Sequence, residues 1–424
     1  MFKDLSKEDA HALLKKTFTP AKPISRREVL YGRDSVLRKI DRAFRSDGKH
    51  IFIFGDRGVG KTSLAVTVAY ENQPASQELV LVSCSSNAGF GELIQDAAAQ
   101  LLPHATMTRD ISTGKSASLD LKIASGSISQ TIKKGIIPPI HSVNDASQLF
   151  KEITKERQDY AVVVFDEFDQ LADVTTKKLF ADLIKNISDR EIAVKFIFCG
   201  IGDSLEELIG LHLSTDRYIA PIELSAISLD ARWDILRGGL EPFGVTIDRQ
   251  MLIRVGNMSD GFPYYVHLFG EHLVDVILED EDIVEDVSFY HFDEALRHAV
   301  AEADTSLKQR YELATRKTKH SDTYERALWS VAAERSYERP IRGIYMSYEK
   351  ISEELGEQTV ASTTFYQIIA KLKSDNHGAI IEMKSHGWYR FKENIIRGYV
   401  RMKAAEHGLD FGVDHNFDEQ WIAH

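Results

Sequence analysis

The fold of this chain is decided by one glycine-rich stretch, Gly55-Asp56-Arg57-Gly58-Val59-Gly60-Lys61-Thr62. Its glycines allow backbone N–H groups to converge on phosphate oxygens, as in a phosphate-binding loop. At this spacing Lys61 reaches the β- and γ-phosphates, and the hydroxyl of Thr62 is a ligand for Mg²⁺. The sequence therefore predicts that ATP and Mg²⁺ bind along residues 55–63, with Ser63 directly after the loop.

The segments on either side of this loop have the composition that such a loop requires. Residues 51–54 are apolar and typical of a buried strand that enters the loop. Residues 63–69 continue as a helix, whose N-terminal dipole favours anions. A strand, a phosphate loop and a helix in succession predict a nucleotide-binding α/β domain.

A second apolar run, residues 161–165, ends in the two carboxylates Asp166 and Glu167. Asp166 is expected to hold Mg²⁺ through water, and Glu167 to orient or activate the attacking water. Two acids after a strand also occur in ordinary solvated turns. Together with the phosphate loop they favour an ATPase, in which Lys61 and Glu167 are predicted catalytic residues.

The composition of the chain is that of an ordinary soluble protein. Its length of 424 residues exceeds what one hydrophobic core usually organises, so two or three domains are expected. A charged N-terminus, only two cysteines and no long uncharged apolar run predict a cytoplasmic protein that does not enter a membrane. The net charge of −12 argues against a surface that coats nucleic acid, but not against one basic face.

Alternating apolar runs and helical patterns predict a parallel sheet covered by helices, followed by helical regions. Three helical patterns followed by a hairpin with a tight glycine turn predict a winged helix at the C-terminal end. The predicted domains are an N-terminal helix and arm (1–24), an ATPase core (25–225, with an inserted hairpin or loop at 104–143), a helical lid (226–315), a winged-helix domain (321–408) and an acidic, aromatic tail (409–424).

The predicted winged helix carries an excess of positive charge. Residues 366–405 contain eight basic and three acidic side chains, in a chain that is acidic overall. Such an asymmetry favours contact with phosphates of double-stranded DNA, although winged helices also bind proteins. The predicted DNA-binding residues are Thr363, Thr364 and Gln367 on the recognition helix and Lys384, His386 and Arg390 on the wing.

Two further segments make the chain similar to AAA+ ATPases of the Orc1/Cdc6 initiator type. They are Asp166-Glu167-Phe168-Asp169-Gln170-Leu171 and Lys195-Phe196-Ile197-Phe198-Cys199-Gly200-Ile201-Gly202-Asp203-Ser204. The resemblance implies that Tyr31, Gly32 and Arg33 pack against the adenine and sugar. It also implies that Asp203 or Ser204 senses the γ-phosphate, and that Arg217 is an arginine finger for a neighbouring subunit; for Arg217 a surface ion pair with Asp216 is the alternative.

The resemblance fails at the lid, where initiators of this type carry an arginine. Here Gly261-Phe262-Pro263 resembles the Gly-x-Pro element of STAND ATPases, whose nucleotide acts mainly as a switch. Pro263 is thus a candidate nucleotide contact, or simply a favourable first residue of a helix. The departure implies slow turnover.

The function expected from these features is that of an oligomeric ATPase in which ATP sets the position of a DNA-binding winged helix. One alternative is a STAND-like regulator that controls a separately encoded effector, such as a nuclease, through protein contacts. Another is a transposition or recombination ATPase. All three share the phosphate loop.

Overall fold

A computed structural model of the chain describes residues 2–3, 5–73, 77–102, 137–155, 160–202, 217–315 and 321–411. The chain forms two compact units. The first, here called the sheet unit, comprises Pro23–Gly55 and Lys61–Ser225. The second, here called the helical unit, comprises Met1–Lys22, Asp56–Gly60 and Ala226–His424.

The sheet unit is an α/β layer structure. Its elements are α2 (Asp34–Arg45), β1 (His50–Phe54), α3 (Lys61–Asn72), β2 (Leu81–Ser83), α4 (Phe90–Leu101), α5 (Val143–Thr154), β3 (Ala161–Asp166), α6 (Val174–Asp189), β4 (Val194–Gly200) and β5 (Ile219–Glu223). The five strands are parallel and lie in the order β2-β3-β4-β1-β5. The predicted parallel sheet is confirmed. Most of the inserted segment at 104–143 lies outside the described residues.

Phenylalanine rings fill the core of the sheet unit. Phe165 and Phe198, on neighbouring strands, stack with ring centroids 5.3 Å apart, and Phe168 meets Phe198 edge-on at 5.0 Å. Strands β1, β3 and β4 are buried along nearly their whole length. A sheet covered on both faces requires continuous apolar strands, which is why the apolar runs of the sequence predict these strands.

Two polar side chains lie buried near the amino ends of β1 and β4. The Lys195 ammonium donates to the carbonyls of Ser46 and Lys49, which follow α2. Burial lowers the pKa of Lys195 to about 8. The His50 ring accepts a hydrogen bond from the Phe196 N–H, and burial lowers the pKa of His50 to about 3. Both therefore serve the fold rather than any ligand.

The helical unit begins with the N-terminal helix α1 (Lys7–Thr17) and resumes after the sheet unit. Its further helices are α7 (Leu229–Leu240), α8 (Arg249–Met258), α9 (Pro263–Glu279), α10 (Phe289–Glu302), α11 (Thr305–Thr315), α12 (Ser321–Ala332), α13 (Ile341–Glu354), α14 (Ser362–Leu372) and α15 (Asn394–Glu406), and its strands are β6 (Arg339–Pro340), β7 (Ile381–Ser385) and β8 (Trp388–Phe391). The predicted lid and winged-helix segments thus share one compact unit.

Phe18, directly after α1, is seated in a notch between two helices. Gly239 of α7 and Gly270 of α9 face its ring, and a Cβ atom on either glycine would collide with it. The side chain is 1% exposed. Glycine inside a helix costs up to about 1 kcal/mol of stability relative to alanine. Here glycine is needed at both positions because only a residue without a Cβ atom leaves room for the Phe18 ring.

The C-terminal part of the helical unit has the element order of a winged helix. Helices α12, α13 and α14 precede an antiparallel sheet with strand order β6-β8-β7. Strands β7 and β8 pair around the turn that contains Gly387. The assignment of these elements to a winged-helix domain stays a prediction.

A buried ion cluster joins the C-terminal helix to the segment before α9. Asp260 is 9% exposed, and its Oδ1 lies 3.3 Å from the Nη1 atoms of both Arg397 and Arg401. Arg401 also donates to the carbonyls of Asn257 and Ala332, near the ends of α8 and α12. Asp260 has a left-handed backbone, with φ of 53°. This cluster therefore fixes several helix ends to α15.

Among the described residues, no helix combines the length and the apolar character needed to cross a bilayer.

Candidate functional site

The candidate site residues of the sheet unit begin at the carboxyl end of β1. Gly55, the next residue, has φ of 144°, and a Cβ atom there would collide with the carbonyl oxygen of Leu224. Any other residue would have to move the backbone that follows β5. Glycine is thus required at the entrance of the loop for steric as well as conformational reasons.

The two predicted Mg²⁺ ligands touch each other. The Thr62 hydroxyl donates to Oδ2 of Asp166 over 2.8 Å, although the residues are 104 positions apart. A hydroxyl and a carboxylate at this separation are oxygen donors of the type that Mg²⁺ binds directly or through water. These side chains therefore fit the ion that the sequence predicted. The Lys61 ammonium, one residue earlier, donates to the carbonyl of Gly55 over 3.0 Å.

Glu167 has an unusual backbone conformation, φ 55° and ψ 37°, in the left-handed region. Its N–H donates to Oδ1 of Asp166 over 3.0 Å, so Asp166 has one oxygen on Thr62 and the other on its neighbour. The left-handed region is costly for a glutamate and is often occupied at functional sites. The Glu167 side chain is exposed.

Asp169 is a site residue to which the sequence reasoning gave no role. Its Oδ1 accepts a hydrogen bond from the N–H of Ile201 over 2.8 Å. This bond joins the turn after β3 to the residue that follows β4. The only advance signal was the presence of a third acid shortly after Asp166. Asp203, the predicted γ-phosphate sensor, lies outside the described residues, as does Ser204.

The loop segment Asp56–Gly60 belongs to the helical unit. Asp56 and Arg57 are exposed, and each is bonded within the helical unit, to Asn394 and Asp304. Val59 is buried, with 1% exposure. Along the chain this segment leads directly into Lys61 and Thr62.

The family model described as an AAA ATPase domain matches residues 29–197. This range contains the phosphate loop, Asp166 and Glu167. This part of the chain is similar to an AAA ATPase domain.

One solved structure shares the fold of this chain, and others align with it at lower scores. The Walker-type ATPase of Pyrococcus abyssi is 16% identical with a TM-score of 0.53, over 90% of this chain and 99% of its own. The Orc1 protein of Aeropyrum pernix, solved with DNA, is 17% identical over 88% and 92%, with a TM-score of 0.45. Cdc6p of Pyrobaculum aerophilum is 16% identical over 92% and 98%, with a TM-score of 0.43. No curated protein matches the sequence. The likeness to the Walker-type ATPase establishes the fold alone.

Two of the predicted nucleotide contacts, Arg33 and Ser63, have hydrogen-bond partners within the sheet unit. The Arg33 guanidinium is 6% exposed and donates to the carbonyl of Ser225 over 2.8 Å. Burial lowers the pKa of Arg33 to about 10. The hydroxyl of Ser63 accepts the N–H of Ile24. Arg33 therefore anchors the start of α2 to the backbone after β5, with Tyr31 and Gly32 immediately before it in a turn.

Arg217 is exposed at the start of β5. Its guanidinium lies 4.5 Å from the centroid of the Tyr218 ring and donates to the Tyr218 hydroxyl, which in turn donates to Asp189. The contact holds Arg217 on the surface of the sheet unit. Its role as an arginine finger stays a prediction.

Pro263 is the first residue of α9. The carbonyl of Gly261, two residues earlier, accepts the N–H of Ile227, and a Cβ on Gly261 would lie 2.7 Å from that of Ala226. These contacts fix the entry into α9. They account for the Gly-Phe-Pro sequence by local geometry, and nucleotide contact by Pro263 stays a prediction.

The predicted DNA-binding residues divide into two groups. Thr363, Thr364 and Gln367 on α14 are exposed, as are Lys384 and His386 on the wing. Arg390 instead pairs with Glu382 at 2.7 Å and with Glu338 at 3.7 Å.

Two of the eight basic side chains of residues 366–405 lie in the interior. Arg397 and Arg401 are 1% and 6% exposed, within the Asp260 cluster. Lys403 pairs with Glu406. Counting charges along the sequence therefore overstated the positive surface of the winged helix, because two of the cations serve the interior.

Proposed function

We propose that this protein binds ATP with Mg²⁺, hydrolyses it slowly and acts as a nucleotide-dependent conformational switch that oligomerises. The observation that carries the proposal is the hydrogen bond between Thr62 and Asp166, with Glu167 held in a left-handed conformation beside it. That arrangement brings a hydroxyl, a carboxylate and an exposed second carboxylate to the mouth of a phosphate loop.

Each residue has a distinct task in this proposal. Thr62 and Asp166 hold the Mg²⁺, which neutralises charge on the phosphates when bound. Lys61 leaves the carbonyl of Gly55 and binds the β- and γ-phosphates. Glu167 orients the attacking water, and Asp169 keeps the neighbouring turn in register with β4.

Slow hydrolysis is supported by the composition of α9. The helix contains neither lysine nor arginine over its 17 residues. No cation of that helix can therefore neutralise the charge that develops on the transferred phosphoryl group. A long-lived ATP state suits a switch better than a motor.

The test compares two variants in nucleotide binding and turnover. Lys61→Ala should abolish ATP binding measured by calorimetry. Glu167→Gln should retain binding and lower kcat by about 10²-fold or more, since it removes only the residue that activates water. Wild-type protein that does not bind ATP in Mg²⁺ would refute the proposal.

We propose that the switch controls the binding of double-stranded DNA by the winged helix. Support comes from the exposed polar face of α14 with Thr363, Thr364 and Gln367, and from Lys384 and His386 on the wing. Binding should weaken steeply with salt and be reduced in Lys384→Glu with Arg390→Glu. Unchanged DNA affinity in that variant would remove this output.

A second candidate is control of a separate effector protein through the same domain. It is favoured by the burial of Arg397 and Arg401 and by three large apolar side chains that are exposed. Tyr366, Met383 and Trp388 are 38%, 46% and 44% exposed. Aromatic residues and methionine are enriched at protein interfaces. Trp388→Ala should weaken effector binding without changing affinity for DNA.

A further inference from the structure

The outward side chains of the phosphate loop are held by other elements of the helical unit. The backbone of such a loop contacts phosphate, while the side chains at its variable positions point elsewhere. Here those positions are Asp56 and Arg57. Both have specific partners far away in the sequence.

Arg57 is bonded to the residue that precedes α11. Its Nη2 lies 3.0 Å from Oδ2 of Asp304. The other oxygen of Asp304, Oδ1, accepts the N–H and the hydroxyl of Ser306 over 2.8 and 2.6 Å. Asp304 is thus oriented by the first turn of α11 before it meets the guanidinium.

Asp56 is bonded to the first residue of the C-terminal helix. Its Oδ2 accepts the side-chain amide of Asn394 over 2.9 Å. The next residue, Ile395, lies so close that its Cδ1 is 2.5 Å from where a Cβ on Gly58 would stand. The carbonyl of Ile395 accepts the hydroxyl of Tyr265 over 2.6 Å, which ties α15 to α9. The first turn of α15 is therefore seated on the loop.

We propose that Asp304 and Asn394 are positioning residues for the phosphate loop. By holding Arg57 and Asp56 they preset the loop for phosphate and couple its occupancy to α11 and α15. The proposal rests on the proposed binding of ATP to this loop. It adds that the C-terminal helix, which the sequence reasoning left without a role, is in direct contact with the nucleotide-binding element.

Reciprocity follows from this coupling. If α15 restricts the loop and thereby raises its affinity for ATP, then ATP must stabilise the first turn of α15 by the same factor. The pair Arg57–Asp304 has side chains that are 43% and 36% exposed, so solvent screens it. The expected effects are therefore several-fold rather than complete.

The binding experiment measures the Kd for ATP in Mg²⁺ by calorimetry. Asn394→Ala should raise the Kd about fivefold, because Asp56 is no longer held away from the phosphates. Asn376→Ala, the same substitution at an exposed position of the same unit, should leave it unchanged. An Asn394→Ala variant with the wild-type Kd overturns the proposal.

The second pair is tested by a double-mutant cycle. Asp304→Asn keeps Oδ1 as the acceptor for Ser306 but removes the charge that faces Arg57. It should raise the Kd about threefold in the wild-type background and have no further effect in Arg57→Ala. Tighter binding in Asp304→Asn would mean that Arg57, once released, contacts phosphate itself, and would overturn the role of Asp304.

Hydrogen exchange supplies a readout that a purely structural role would not move. ATP should slow exchange at residues 394–398 of the wild-type protein, and this protection should disappear in Asn394→Ala. Equal protection in the two proteins overturns the coupling. If wild-type protein and Lys61→Ala bind no ATP, the proposed function fails; if binding depends on Lys61 but not on Asn394, only this inference fails.

Discussion

The interiors of the two units differ in the charge that they contain. The core of the sheet unit is apolar, with Phe165 and Phe198 stacked at its centre. The helical unit buries a charged cluster, in which Asp260 faces Arg397 and Arg401. Apolar cores tolerate exchange of one packed side chain for another, whereas a buried charge demands its partner in one geometry. The helical unit thus adds a buried charged cluster to its apolar packing.

The distribution of tryptophan allows the two units to be observed separately. Within the part of the chain that the structure describes, the tryptophans at positions 233, 329 and 388 all belong to the helical unit. The fluorescence of these three side chains therefore reports on that unit. Hydrogen exchange in β4 reports on the sheet unit.

The largest effect is expected from Phe198→Ala in the sheet unit. It removes a ring that is 1% exposed and contacts several others, so the free energy of unfolding should fall by about 4 kcal/mol. Native-state hydrogen exchange of the β4 amides measures this loss. Val174→Ala, at a side chain that is 59% exposed, should change it by less than about 0.5 kcal/mol. Equal losses in the two variants would contradict a packed aromatic core.

Asp260→Asn is the corresponding break in the helical unit. Asparagine has nearly the same shape as aspartate and tolerates the φ of 53° at this position. The substitution leaves two buried guanidinium groups without their carboxylate. The helical unit should lose about 3 kcal/mol, measured by tryptophan fluorescence in urea. Glu353→Gln, at an exposed position, is the control. A loss below about 0.5 kcal/mol would show that the cluster contributes little.

Acid should weaken both units because each contains a neutral buried histidine. Burial lowers the pKa of His50 to about 3 and that of His267 to about 4. Below pH 6.5 the unfolded chain binds these protons first, so stability present at neutral pH is lost as the pH falls towards the folded values. By pH 5 the loss should reach about 2 kcal/mol for each histidine.

The measurement for the sheet unit compares His50→Gln with the wild type between pH 7 and pH 5. The variant should show a flatter dependence of β4 exchange on pH. His386→Gln, at an exposed histidine of the wing, should leave the dependence unchanged. Parallel curves for His50→Gln and the wild type would remove His50 as the cause.

The smallest effect is expected where an ion pair lies on the surface. Lys3 and Glu285 are 2.7 Å apart, with side chains 64% and 59% exposed. Glu285→Gln should change the stability of the helical unit by less than about 1 kcal/mol, measured by the same urea titration. A loss as large as that in Asp260→Asn would erase the distinction between buried and exposed charges.

The sequence predicted the sheet and the centre of the site because both depend on local patterns. Apolar strands between helices imply parallel neighbours, and the carboxyl ends of parallel strands meet at one edge. That reasoning brought Thr62 and Asp166 together across 104 residues. The roles assigned to Glu167 and Lys61 remain predictions, now with a geometry that suits them.

Burial and distant partners were beyond the reach of sequence patterns. Arg397 and Arg401 counted towards a basic surface, yet Asp260 draws them into the interior. The partner of Asp56 lies 338 residues away, at Asn394. No local rule pairs an aspartate in a phosphate loop with an asparagine at the start of the last helix, because tertiary packing alone decides that contact.

The seat of Phe18 has a consequence for the order in which the chain is made. The notch that receives this ring is built by Gly239 and Gly270, which follow it by more than about 220 residues. At ribosomal rates of roughly 5–20 residues per second, the ring emerges on the order of ten to fifty seconds before its seat exists. The sheet unit can fold during that interval, while α1 and its apolar side chains wait for a partner. Closure of the helical unit is therefore a late event of synthesis, and the nascent chain exposes Phe18 until then.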